Sequence, residues 1–465
     1  MFFSWYIYDI LFITSILYTE RNDPMFKRLF LMMMSLSLLP LYGAAAQDAW
    51  PAPESLPEVE GLPELMRLQN GQPVKTPEDW ALRRAELMEL YSRYMYGYMP
   101  DKAGETLTYA IADDPDTGSK LMTITVTAGE KTASFSVLVT LPKTPAPQGG
   151  YPYFVEYMPH HYQDWFTKQW VTAVSPNCAL AAGRGYAGIN YDPSQVAQDN
   201  KTFFGAFYTL YPYDRADPDA QRGTLLAWAW GISKVIDAME LGAGAELNIN
   251  PALSLVGGVS HFGKGAAVAG AYDERIRVVI PSCSGAGGIA MYRTNNQGKT
   301  YNLTSLGGPA QWVNESRNEP LANLQGGEGY WFCGNFAKIP SVAAIPVDQH
   351  MLAALVAAPE RHMIIVTGIT SEGWNNTEGQ CLAYAASQPV WDLLGCGGQN
   401  NMIIHLDGHA ILPSDMAYIL DYCDVHLLGK DPAEAASDFS QMKGNLFLEH
   451  NREGLDGYFA PYLAQ

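Results

Sequence analysis

Hydrophobic and polar positions follow different rules in different parts of the chain. Between Leu107 and Pro142, the runs LTYAIA, LMTITVTA and ASFSVLVTLP alternate apolar with polar residues, and the intervening DDPDTGS and GEK carry turn formers. This alternation predicts an antiparallel meander with one face buried. Upstream, the segment from Pro77 to Tyr94 places Leu, Met and Tyr at helical spacing, which predicts an amphipathic helix packed as an extension. From Tyr151 onward the apolar runs become short and continuous: Tyr151 to Met158, Tyr186 to Asn190, Leu253 to Val259, Ile276 to Pro281, His362 to Thr367 and Met402 to Leu406. Helical stretches such as RGTLLAWAWGISKVIDAMEL and HMLAALVAAPE separate them. Strands apolar on both faces and alternating with helices are what a mostly parallel, helix-covered sheet requires. The expected fold class is α/β, with the meander leading into the parallel sheet and helices on both faces.

Composition narrows the classes of function. The 465 residues, 48% apolar and 17% charged, suffice for a large globular domain with additions. A net charge of −19 without any basic cluster argues against nucleic acid or an anionic membrane as partner, since phosphate recognition needs Lys and Arg gathered on one face. Aromatic residues at 12% suit sugar platforms and cores alike. Near the start, Lys27 and Arg28, an apolar run, and the small residues Ala44 and Ala46 have the layout of a secretory signal cut before Gln47. The residues before Met25 carry Asp9 inside an apolar run and lack a basic flank, and are read as a mis-assigned start. The expected division is a start extension (1–24), a signal peptide (25–46), an N-terminal extension packed on the core (47–100), a catalytic domain (101–430) and a C-terminal tail (431–465). No cysteine stands at the cleavage site to carry a lipid, so the expected location is periplasmic or secreted, without a stable membrane anchor. The six cysteines, Cys178, Cys283, Cys333, Cys381, Cys396 and Cys423, show no C-x-x-C spacing, and an exported setting permits disulfides whose pairing the spacing does not give.

The stretch LSLVGGVSHFGKGAAVAG reads as a buried strand that turns at Ser260 directly into a helix of small residues. Such a turn puts the hydroxyl at the carboxyl end of the sheet, beside helix N–H groups able to meet an oxyanion, and Gly258 and Gly263 allow strand and helix to approach. The spacing is G-x-S-x-x-G, not the usual G-x-S-x-G, and a serine capping a helix would look the same. Serine needs a base and an orienting acid, which follow in the order serine, acid, histidine in this fold. His409 stands in the loop LDGHAILPSD after the last apolar run, and Glu372 in the loop after MIIVTGITSEGW. The histidine pairs His160 and His161, and His405 and His409, lack further ligands at suitable spacing, and neither a metal nor a cofactor is expected.

GVSHFGKGAA, PSCSGAGG, EGYWFCGNF, IPVDQHMLAALVAAPE, EGWNNTEGQ and GHAILPSDMAYILDYCDVHLLGK, in this order, resemble the glucuronoyl esterases of carbohydrate esterase family fifteen, bacterial members especially. The likeness runs from about Tyr151 to Lys430. It implies an α/β-hydrolase that cleaves esters between the uronic acid carboxyl of glucuronoxylan side chains and lignin alcohols, using a Ser, His and Asp/Glu triad and no metal. Carried over, Ser260 is the nucleophile and His409 the base. Lys264 matches a lysine that contacts sugar hydroxyls, Glu328 a sugar-contacting glutamate, and Trp374 a tryptophan that packs on and hydrogen-bonds the uronate.

The sequence departs from the family at specific positions. The residue after the serine, an oxyanion-stabilising arginine in the family, is His261, which makes that support pH-dependent. Where many members carry the triad acid before SGAGG, this chain has Cys283. A thiol cannot replace a carboxylate that orients histidine, so the acid is expected at Glu372. Val259 and Ala410 replace the fungal cysteine pair, which affects bracing more than chemistry. The partner expected is a uronate-bearing polysaccharide or its esters. An esterase for another acyl group, acetyl included, and a binding relative with little catalysis both remain compatible with the sequence, and the oligomeric state is not readable from it.

Overall fold

The alternating runs form β1 (Glu105–Asp113), β2 (Lys120–Ala128) and β3 (Lys131–Thr140), paired as an antiparallel meander. Met122, Ile124 and Val126 of β2 are buried. Thr123, Thr125 and Thr127 face the other way, opposite Ser136, Ser134 and Thr132 of β3, with hydroxyl hydrogen bonds of 2.9, 2.8 and 2.9 Å. These facing pairs hold the register, because a one-residue slip would turn the apolar set to solvent.

The continuous runs form β4 (Tyr151–Tyr157), β5 (Ala187–Tyr191), β6 (Ile249–Val259), β7 (Val278–Ser282), β8 (His362–Thr370) and β9 (Asn400–Asp407), followed by β10 (Leu446–Leu448). The ten strands make one sheet in the order β1-β2-β3-β5-β4-β6-β7-β8-β9-β10. β3 meets β5 antiparallel, and from β5 to β10 every pairing is parallel. All residues of β4, β5 and β7 are buried, as strands covered on both faces must be. The carboxyl ends of β4 to β9 consequently share one edge, where the loops that carry chemistry emerge. The computed structural model describes residues 50–163, 168–294, 300–301, 312–313, 319–370, 375–437 and 446–448. The predicted signal segment, Glu372 and Trp374 lie outside the described residues.

Helices cover both faces. These are α1 (Pro77–Tyr91), α2 (Pro176–Gly183), α3 (Thr224–Ala238), α4 (His261–Tyr272), α5 (Gln349–Ala354), α6 (Thr377–Leu393) and α7 (Pro413–His426). On one face, Phe154, Leu255, Ile280, Ile364 and Ile403 pack with Ala181 of α2 and with Met416 and Ile419 of α7. On the other, α4 lies so close that a methyl on Gly270 would sit 2.6 Å from the Val279 side chain. Thr76 opens α1 with a capping box to Asp79, as a Thr-Pro-Glu-Asp start favours. Past α1, Tyr96 donates to Gly287 O (2.9 Å), bracing the loop that follows β7. The sequence pattern did not anticipate α6 or the short hairpin of His161–Gln163 with Trp170–Thr172. α6 has mixed composition and an internal Pro389, which blur its periodicity.

The β6-to-α4 turn leaves no room for side chains at its glycines. A Cβ on Gly258 would lie 2.6 Å from Phe262 O, and one on Gly263 would lie 2.5 Å from Ser282 O and 3.0 Å from Gly258 O. Replacing Gly263 by Ala is expected to lower unfolding free energy by about 1–3 kcal/mol in chemical denaturation, since the obstructing atoms are backbone and cannot swing aside. Gly104→Ala, where nothing lies within 4 Å, is the matched control and should change stability by no more than about 0.5 kcal/mol.

Candidate active site

Ser260 ends the strand at φ 62° and ψ −130°, a conformation sparsely populated by residues with a side chain, which costs on the order of 1–3 kcal/mol and persists only where its surroundings enforce it. Its N–H donates to Ser282 O (2.9 Å) at the end of β7, and its carbonyl accepts from Lys264 N–H (3.0 Å) one turn into α4. The hydroxyl makes no capping hydrogen bond to α4. The capping serine left open by the sequence is therefore not what is found. Ser260 is half-buried, and the first N–H groups of α4, which have no intrahelical acceptor, follow it directly in the chain.

Cys283, the first residue after β7, also has a left-handed backbone, with φ 46°. It is 2% exposed, its N–H donates to Val366 O (2.8 Å) of β8, Ser282 Oγ donates to its sulfur (3.7 Å), and the side chains of His405 and His409 lie against that sulfur. Burial alone would push this thiol up, but the two histidines bring it down to about 7, whereas burial pushes the other five thiols up. All six cysteines are buried, unpaired thiols. His405, on β9, is fully buried, with Nδ1 2.9 Å from Asp415 Oδ2 and Nε2 2.9 Å from Gly408 O. Both partners can only accept, so both ring nitrogens carry protons and His405 is an imidazolium. Against the opposing effect of burial, Asp415 and Cys283 hold it up to about 10. Opposite it on β8, Gly368 admits the ring, since a methyl there would meet Nε2 at 2.9 Å.

His409 is exposed in the loop after β9, in contact with Cys283 and within electrostatic reach of His261. His261 stacks on Trp331 (centroids 5.8 Å apart, planes at 4°), and its Nε2 faces Asp199 Oδ2 at 3.4 Å. Burial lowers its pKa, which Asp199 partly opposes while Lys264 and His409 lower it further. Asp199 also accepts from Trp331 Nε1 (2.7 Å) and Tyr330 Oη (3.0 Å). Lys264 is buried, and its ammonium donates to Ser284 O (2.9 Å), Ala286 O (2.7 Å) and Glu319 Oε2 (2.6 Å). These use all three of its protons, so a sugar hydroxyl can reach it only by displacing or sharing one of those acceptors. Glu328 lies close enough to Glu319 to oppose its ionisation, and its Oε2 is buried with no hydrogen-bond partner among the described residues.

One edge of the sheet thus gathers Ser260, His261, Lys264, Cys283 and His409. Sequence reasoning missed Asp199, Glu319, Trp331, His405 and Asp415. Asp199 and Glu319 sit in irregular segments with no periodic signal, and Trp331 lies in a single short turn that gives none either. His405 entered only as one of a histidine pair without further metal ligands, although a strand histidine with Asp415 in the same HLDGHAILPSD segment was a visible clue.

A family model described as "Glucuronyl esterase, fungi" matches residues 124–395. The chain is 37% identical over 421 residues to a "Multidomain esterase" of Ruminococcus flavefaciens, covering 88% of this chain and 51% of that protein, so it spans about half of that relative's length. It is 31% identical to a "4-O-methyl-glucuronoyl methylesterase" of Hypocrea jecorina, over 86% of this chain and 77% of the relative. Among solved structures, a carbohydrate esterase family 15 glucuronoyl esterase from Caldicellulosiruptor kristjansonii superposes with a TM-score of 0.70 at 35% identity, covering 84% of this chain and 96% of that one. With its strand order, its serine turn and these matches, the chain belongs to the glucuronoyl esterase family and has the α/β-hydrolase fold.

Proposed function

We propose that this chain is an exported serine esterase that hydrolyses glucuronoyl or 4-O-methyl-glucuronoyl esters carried by polysaccharide. The observation that carries the reading is the strained Ser260, its hydroxyl uncommitted to the helix it precedes, at the sheet edge shared with His409. His409, oriented by Glu372, takes the Ser260 proton as Oγ attacks the ester carbonyl carbon, and the oxyanion is received by the first N–H groups of α4. The base then protonates the leaving alcohol, and water repeats the sequence to release the uronic acid and restore Ser260. No step calls for an electron acceptor or a metal.

The sugar is held by Glu328 and Trp374, and Lys264 reaches a sugar hydroxyl only where that hydroxyl displaces or shares one of its three acceptors. A buried carboxylate oxygen without a donor is costly, and a sugar hydroxyl donating to Glu328 Oε2 relieves that cost. Lys264 holds Glu319 and the loop after Cys283 in place beneath the sugar. His261 contributes conditionally. With Nε2–H directed to Asp199, a neutral ring offers only an acceptor at Nδ1, so it can donate to an oxyanion only when protonated, and burial disfavours that form. Among the described residues no helix is long and apolar enough to cross a membrane, and the proposed location is periplasmic or extracellular after loss of residues 25–46.

Methyl or benzyl glucuronate turned over by the chain from Gln47 and not by its Ser260→Ala variant, with a loss of at least ~10⁴-fold, is the expected result. An inactive parent, or activity confined to simple acetyl esters, would reject the uronate reading. Glu328→Gln should raise KM about tenfold with a smaller effect on kcat, measured by steady-state kinetics. His261→Ala should alter kcat/KM by less than about threefold near pH 8, with the deficit growing as pH falls and the native ring gains its second proton.

A further inference from the structure

The triad acid's usual position holds a cysteine whose surroundings are those of an anion site. Its sulfur touches His405 and His409. The geometry makes His405 an imidazolium, because Asp415 Oδ2 and Gly408 O occupy both nitrogens as acceptors. Asp415 is itself 1% exposed and also accepts from Leu412 N–H (2.9 Å), so the His405–Asp415 pair is fixed and shielded from water. A buried imidazolium beside a buried thiol favours the thiolate. The left-handed backbone at Cys283, kept in a residue with a side chain, is the local strain found where a group must be aimed.

We propose that Cys283 is a positioning residue for the catalytic base: its sulfur, ionised between the cationic His405 and His409, accepts the His409 N–H and stabilises the imidazolium that forms when Ser260 is deprotonated. This rests on the reading of His409 as base. In the transition state the charges run Asp415 negative, His405 positive, Cys283 negative, His409 positive. No proton passes to sulfur, and the proton taken from Ser260 stays on His409 until the alcohol leaves. The expectation that a thiol cannot stand in for the carboxylate holds for the neutral form only. His409 then has an anionic partner in Cys283 beside Glu372, and loss of one leaves partial function.

The charged and titratable groups around this pair are His405 from β9, Asp415 from α7 through His405, and His261 from α4, which faces His409. Lys264 from α4 donates to Ser284 O and Ala286 O of the loop after Cys283 and pairs with Glu319, on which Glu328 acts, and Asp199 faces His261. Ser282 Oγ also donates to the sulfur (3.7 Å), so two histidine rings and one hydroxyl face it.

The test has two arms. Thiolate ultraviolet absorbance of the folded wild-type protein, followed against pH, should show one thiol ionising close to about 7 that is absent from Cys283→Ser, while the other five remain protonated to alkaline pH. This arm needs no substrate, so it separates failure of the proposal from failure of the esterase reading. In the second arm, Cys283→Ser should lose about tenfold or more in kcat with KM little changed, and the acid limb of its pH profile should move to lower pH as His409 loses an anionic neighbour. Cys283→Asp should restore most of kcat, which a purely structural cysteine would not. No thiolate at neutral pH in the first arm, or a Cys283→Ser enzyme with wild-type kcat and pH profile, overturns the proposal.

Discussion

The backbone at Ser260 is the constraint on which the rest of the site depends. A strand buried on both faces must stop, reverse and enter a helix within one residue, and it does so only because Gly258 and Gly263 let the Phe262 and Ser282 carbonyls come within the space of a methyl. Ser260 N–H to Ser282 O ties this turn to the end of β7, so the strained serine and the strained cysteine that follows Ser282 are fixed relative to each other by one hydrogen bond and a shared sheet. Strain at adjacent strand ends is tolerated because the strand segments that lead into them, Ser254 to Gly258 of β6 and all of β7, are buried and paired.

That rigidity lets electrostatics be arranged in advance. The Asp415–His405 ion pair is placed under the site by β9 and α7, and Gly368 on β8 makes room for the ring. On the opposite side, Lys264 reaches under the loop after Cys283 and binds two of its carbonyls and Glu319, while Asp199 gathers Trp331, Tyr330 and His261. Charge is balanced locally on each side, which suits chemistry in which an imidazolium and an oxyanion arise together and then vanish. The loop that follows Cys283 is braced by Tyr96, from the turn after α1, through its hydrogen bond to Gly287 O.

Much of this was legible in the sequence. Period-two alternation gave the meander, and continuous apolar runs gave the parallel strands to within a few residues, because burial on one face or two leaves a direct imprint on composition. Ser260 and His409 were legible because fold topology assigns them to strand ends in a fixed order. What lay hidden was whatever depends on distance between segments. Nothing in VAQDNKTFF marks Asp199 as the acceptor facing His261, and nothing in a strand histidine shows that it is charged until Asp415 and Gly408 are seen on its two nitrogens. The resemblance assigns Lys264 to sugar hydroxyls, whereas the three acceptors it already serves are visible only in the structure. Cys283 looked like a lost acid for the same reason.

Ser260 is proposed as an activated nucleophile served by His409. Incubation of the mature chain with an alkyl phosphonate, which traps activated serines as a stable tetrahedral adduct, followed by peptide mass mapping, tests it directly. A single adduct on the peptide containing Ser260 is expected, formed at least ~100-fold more slowly in His409→Ala. Labelling at another residue, or equal labelling with and without His409, would contradict it.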